Sequence, residues 1–113
     1  MKIPEWSSDQ YAKLGKNMWS VQRLIDLTKD FPVMEIPLDH LNIYNTYEKL
    51  TLREMAMHIR VINNADLSFP IILDEDGEIM DGRHRIIKAL LSGEKTIKAV
   101  RFDENPYPCK RDE

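Results

Sequence analysis

Asp81-Gly82-Arg83-His84-Arg85 is the segment of this chain best equipped for chemistry. The stretch around it, Glu78 to Leu90, reads as a strand, a glycine and then the basic start of a helix. The first N–H groups of a helix have no acceptor within it, and the peptide dipoles place partial positive charge at that end. Gly82 lets a ligand approach the backbone closely. Arg83, His84 and Arg85 add side-chain donors around the same point, so the complementary ligand is an anion, most naturally a phosphate. Cations are opposed by the dipole at a helix N-terminus, which makes this start unfavourable as pure scaffolding. The scaffolding alternative is that Asp81 and the acids before it neutralise the arginines. Asp81 also reads as an N-cap for the Arg83 or His84 N–H.

Other reactive side chains are scattered. His40 and His58 are isolated, and their spacings from each other and from His84 match no helical pair of metal ligands. Arg53, His58 and Arg60 fall on or beside the polar side of one expected helix, as a solvated face does. Cys109 is the sole cysteine, so the chain forms no internal disulfide and no multi-cysteine zinc site. Trp6 and Trp19 read as docking residues of the N-terminal region or as a partner surface, and Met55, Met57 and Met80 as core filler. Tyr107, between Pro106 and Pro108, sits in a polar end segment that reads as a docking motif or a mobile tail.

The frame is small. The 113 residues carry 16 Lys and Arg against 19 Asp and Glu, a formal charge of −3, which argues against nonspecific DNA binding through net charge. One domain is expected at this length, and 42% hydrophobic residues argue against wholesale disorder. The longest apolar run, Phe69-Pro70-Ile71-Ile72-Leu73, is far too short to span a bilayer. The start, Met1 to Trp6, lacks the pattern of a signal peptide, so the expected location is cytoplasmic and no membrane association is expected. Charge is polarised: Asp74, Glu75, Asp76, Glu78 and Asp81 precede Arg83, Arg85, Lys88, Lys95, Lys98 and Arg101.

The elements that must position these residues follow from spacing. Residues 1–32 read as a helical extension. Ser7-Ser8-Asp9 caps its start, Tyr11, Leu14 and Met18 recur at helical spacing, and Ser20 caps a second helix striped by Val21, Leu24, Ile25 and Leu27. Phe31-Pro32 ends it. Val33 to Leu38 reads as a strand, and Leu38, Leu41 and Tyr44 as a short helical turn. Thr51 and Glu54 form a capping box for a helix whose Leu52, Met55, Ala56, Ile59, Ile62 and Asn63 share a nearly apolar face, expected to pack on a sheet or another helix. Pro70 to Leu73 and Glu78 to Met80 read as a hairpin around Asp74-Glu75-Asp76-Gly77. A helix from Gly82 to Leu91, capped near Gly93, and a strand from Thr96 to Phe102 complete an α+β core over 33–102. Residues 103–113, without Leu, Ile, Val or Met, read as a polar C-terminal tail.

Phe69-Pro70-Ile71-Ile72-Leu73, Asp76-Gly77 and Asp81-Gly82-Arg83-His84-Arg85, followed by Ala89 and Gly93, resemble the ParB-like N-terminal domain of the ParB/sulfiredoxin superfamily. That superfamily includes partition proteins, sulfiredoxins and free-serine kinases. Ile36-Pro37-Leu38 matches the strand and turn that open the domain, and the resemblance covers Val33 to Phe102. It implies a small mixed β-sheet with packed helices. It also implies nucleotide or phosphate binding at Gly82, Arg83, His84 and Arg85, with ATP or CTP as ligand and weak nucleotidase or kinase activity as an extension. The kinase relatives imply a catalytic glutamate near the first strand, for which Glu35 is the candidate. Phosphoryl transfer implies Mg²⁺, toward which Asp81 is the candidate ligand. Sulfiredoxins carry their cysteine where this chain has Arg83, so no redox cofactor or sulfiredoxin chemistry is expected. The DNA-binding and dimerisation domains of partition proteins are not expected after Phe102, nor is DNA binding by this chain alone. The alternatives to a nucleotide binder are a non-catalytic protein-interaction module and a DNA-associated ParB-like protein or nuclease.

Overall fold

Ile71, Ile72 and Leu73 are apolar at every position, the pattern of a strand covered on both faces. The computed structural model describes residues 11–43 and 50–111, the side chains of the last two excepted, and all three residues are buried there. The Ser7-Ser8-Asp9 cap, Trp6 and Tyr44 lie outside the described residues.

In chain order the elements are β1 (Tyr11–Leu14), β2 (Asn17–Ser20), α1 (Val21–Thr28), β3 (Met34–Pro37), a 3₁₀ turn (Leu38–His40) and α2 (Leu52–Asn64). Then come β4 (Ile71–Leu73), β5 (Ile79–Asp81), α3 (Arg83–Leu91), β6 (Thr96–Arg101) and β7 (Lys110–Arg111). The protein is α+β, with three α-helices and two sheets among the described residues. The central sheet has the order β3-β6-β4-β5. β6 runs parallel to β4, while β3 and β5 are antiparallel to their neighbours and form its edges. Asp74 is buried at the β4–β5 turn, where one carboxylate oxygen accepts from the Asp76 and Glu78 N–H groups, both at 2.8 Å.

Apolar side chains cover both faces of this sheet. On one, Ile71, Leu73, Ile79, Ile97 and Ala99 pack with Leu38, Leu41 and with Ile86 and Ala89 of α3. On the other, Ile72, Met80, Val100 and Phe102 pack with Ala12, Trp19 and Leu24. No helix among the described residues is long and apolar enough to cross a membrane.

Three expectations are corrected. Residues 11–20 form an antiparallel hairpin instead of a helix, with Leu14 opposite Asn17 across a two-residue loop. Gly15 stands first in that loop at φ +60°, a conformation suited to a tight hairpin and not to a helix interior. The helical extension therefore begins only at α1, where the Ser20 hydroxyl accepts from the Arg23 N–H as expected. The C-terminal segment is docked and not free. Trp19 Nε1–H donates to the Pro106 carbonyl at 2.8 Å, the Arg23 guanidinium donates to the Tyr107 carbonyl, and β7 pairs with β2. Finally, α2 keeps its capping box and packs against another helix, α3, as expected, but of its apolar face only Ile62 is buried.

Candidate functional site

The candidate site is the junction of β5 and α3. Asp81 is the last residue of β5, paired in register with Ile72. Gly82 then turns the chain at φ +113°, ψ +17°, and occupies the N-cap position of α3 without any side-chain cap. A Cβ there would stand 2.4 Å from Ile71 Cγ2 and 3.1 Å from Arg85 Nη2. Only glycine fits, because the backbone must pass between a buried isoleucine and the guanidinium of the next turn. The first hydrogen bond of the helix runs from the Ile86 N–H to the Gly82 carbonyl, at 3.0 Å. No acid lies in the first turn of α3, so its positive end is not offset from within the helix.

The four residues expected at this site have different surroundings. Arg83 is exposed. Arg85 Nη2 donates to Asp81 Oδ2 at 2.8 Å, with both side chains about one-fifth exposed (19% and 20%), and Arg85 Nε is buried with no hydrogen-bond partner among the described residues. Asp81 thus pairs with Arg85, the one contact that the scaffolding alternative expects. His84 turns to α2, where its Nε2 lies 2.8 Å from His58 Nδ1, one ring donating and the other accepting. Burial pushes the His84 pKa below its ordinary value, reinforced by His58 and Arg85 and opposed by the Asp81 carboxylate. One turn on, Lys88 Nζ donates to the carbonyls of Asn63 (3.0 Å) and Ala65 (2.6 Å), closing the negative end of α2.

The other candidates lie elsewhere. Glu35 is on β3, exposed, where it accepts from the Thr96 hydroxyl at 2.9 Å. β3 and β5 are opposite edges of the sheet, so three strand spacings, about 14 Å, separate the backbones of Glu35 and Asp81. His40 is exposed on the 3₁₀ turn. Cys109 sits against the other sheet, its Sγ 3.5 Å from the Ser20 N–H and from the Arg23 guanidinium. Among the described residues no group of three or more His, Cys, Asp or Glu is arranged to hold a metal ion. Asp81 already holds a guanidinium, so the donor set here does not fit a standing Mg²⁺ site.

The sequence reading missed the partnership of His58. Twenty-six residues separate it from His84, and no local spacing signals that α2 and α3 pack together. The arrangement at the β5–α3 junction offers hydrogen-bond donors and positive charge to an anion. No protein-family model matches this chain, and no curated protein matches it either.

Proposed function

We propose that the start of α3 binds a phosphate group, and that a nucleotide such as ATP or CTP is the ligand that carries it. The observation that supports this reading is a helix start on a left-handed glycine, with no side-chain cap and with the Arg83 guanidinium exposed beside it. The backbone N–H groups of the first turn and Arg83 are the donors. Arg85, held by Asp81, contributes a positioned charge over Gly82 instead of a free fork. The reading agrees with the resemblance to ParB-like domains and with a cytoplasmic nucleotide binder. It stops at binding: Glu35 stands on the edge of the sheet opposite Asp81.

The test is a titration of the whole chain with ATP, CTP and inorganic phosphate, read by calorimetry and by melting temperature. A ligand at a hundred times its Kd stabilises the fold by about 2.7 kcal/mol. Arg83→Ala leaves the unliganded melting temperature in place, because the side chain is exposed, and weakens binding about tenfold or more. If none of the three ligands shifts the melting temperature, or if Arg83→Ala binds as the parent does, the reading fails.

A further inference from the structure

Helix α2 is finished at both ends yet exposed along one face among the described residues. Thr51 and Glu54 exchange both hydrogen bonds of a capping box, at 3.0 and 3.1 Å. Lys88 closes the C-terminal carbonyls. These bonds fix the two ends of the helix without requiring its apolar side to be covered. Leu52, Met55 and Ile59 are 88%, 47% and 50% exposed, and Ala56 between them is exposed as well. Their spacing of i, i+3, i+4 and i+7 makes one stripe two turns long, about 10 Å. Arg53 and Arg60, also exposed, stand two turns apart along a single flank of that stripe. Isolated exposed apolar residues need no explanation, but a contiguous row on a well-formed helix marks an interaction site.

We propose that this face of α2 docks an amphipathic helix of a partner protein that carries Asp or Glu along one side of its apolar stripe. A helix is the occupant whose side-chain rows fit rows spaced at i+3 and i+4. The acid is specified by Arg53 and Arg60, which flank the stripe at the rim, where charge selects the partner and its orientation. A second copy of the chain fits poorly. Antiparallel pairing of α2 with itself sets Arg53 against Arg60 of the other copy, like charge against like. Parallel pairing sets the arginine flank against the side where His58 and Ile62 are occupied by the protein's own packing. The proposal uses none of the residues from Gly82 to Arg85 and stands apart from anion binding.

The experiment selects helical peptides by phage display on the full chain. The peptides share a fixed Leu/Met/Ile stripe, and their flanking positions are randomised among Glu, Gln and Lys. The expected result is enrichment of Glu on one flank. Synthesised winners should bind the chain and lose about tenfold in affinity to Ile59→Asp. A chain carrying Arg53→Glu and Arg60→Glu, both at exposed positions, should reverse the preference to Lys while its circular dichroism stays unchanged. Four outcomes overturn the proposal. The first is no enrichment, and the second is enrichment indifferent to flank charge or unaffected by Arg53→Glu/Arg60→Glu. The third is self-association of the chain abolished by Ile59→Asp, which makes a second copy the occupant. The fourth is binding to phosphatidylglycerol vesicles, abolished by Ile59→Asp, with no peptide enriched, which makes a lipid surface the occupant.

Discussion

Replacing Gly82 by alanine tests the packing that shapes the β5–α3 junction. The new Cβ would sit 2.4 Å from Ile71 Cγ2 and 2.8 Å from Ile71 Cβ, and Ile71 is fully buried in the core under α3. A side chain at φ +113° is strained regardless of space, by about 1–2 kcal/mol. Forcing a methyl into a packed core adds about 1–3 kcal/mol. The sum, about 2–5 kcal/mol, is a large part of the stability of a small domain. The matched control is Gly93→Ala, where φ is +74° and nothing among the described residues lies within 4 Å of the added Cβ, so only the strain of about 1–2 kcal/mol applies. Urea denaturation of both variants, followed by tryptophan fluorescence, measures the difference. Gly82→Ala should lose about 1–3 kcal/mol more than Gly93→Ala, and its melting temperature should fall by about 10 °C or more. Equal losses within about 0.5 kcal/mol would refute the claim that the chain passes against Ile71 at this point.

Three further outcomes are expected. Lys88→Met keeps the aliphatic stem but removes both bonds to the C-terminal carbonyls of α2. It should cost about 1–3 kcal/mol and speed amide exchange in the last turn of that helix, and unchanged exchange would show the bonds to be idle. His84 resists protonation in the fold, chiefly through burial, while the unfolded chain takes up the proton near the ordinary value of 6.5. Stability is therefore complete above about pH 7 and declines as pH falls through about 6.5 toward the folded pKa. Denaturant midpoints across this window should lose that slope in His84→Gln, and an undiminished slope would assign it to other groups. Trp19→Phe removes the donor to the Pro106 carbonyl and leaves space in a site that is 2% exposed. Residues after Phe102 should then be cleaved faster in limited proteolysis, and an unaltered cleavage rate would mean that β7 and Arg23 suffice to hold them.

Local bonds were legible in the sequence by themselves because each closes within a few residues. The Thr51–Glu54 capping box, the Ser20 cap, the Asp74–Gly77 turn and the helix starting after Gly82 all depend on partners no more than four positions apart. The buried strand Ile71–Leu73 announced itself through unbroken hydrophobicity. The spacing of Tyr11, Leu14 and Met18 misled because so few apolar residues fit more than one period, and burial of Ala12 and Trp19 against the sheet decided for the hairpin.

What only the tertiary structure decided was which face meets which. The sequence marked one side of α2 as apolar but held no information on what covers it, and the fold buries Ile62 while leaving Leu52, Met55 and Ile59 exposed. It marked Arg83, His84 and Arg85 as a cluster of donors. Packing then gave His84 and Lys88 to α2, Arg85 to Asp81, and left Arg83 exposed to solvent. Glu35 and Asp81 were separated by strand order, and the C-terminal residues were ordered by contacts with Trp19, Arg23 and Met18 more than eighty positions away. Spacing along a chain encodes the direction in which a side chain points relative to its own element, whereas its partner is set by how separate elements share the available surface.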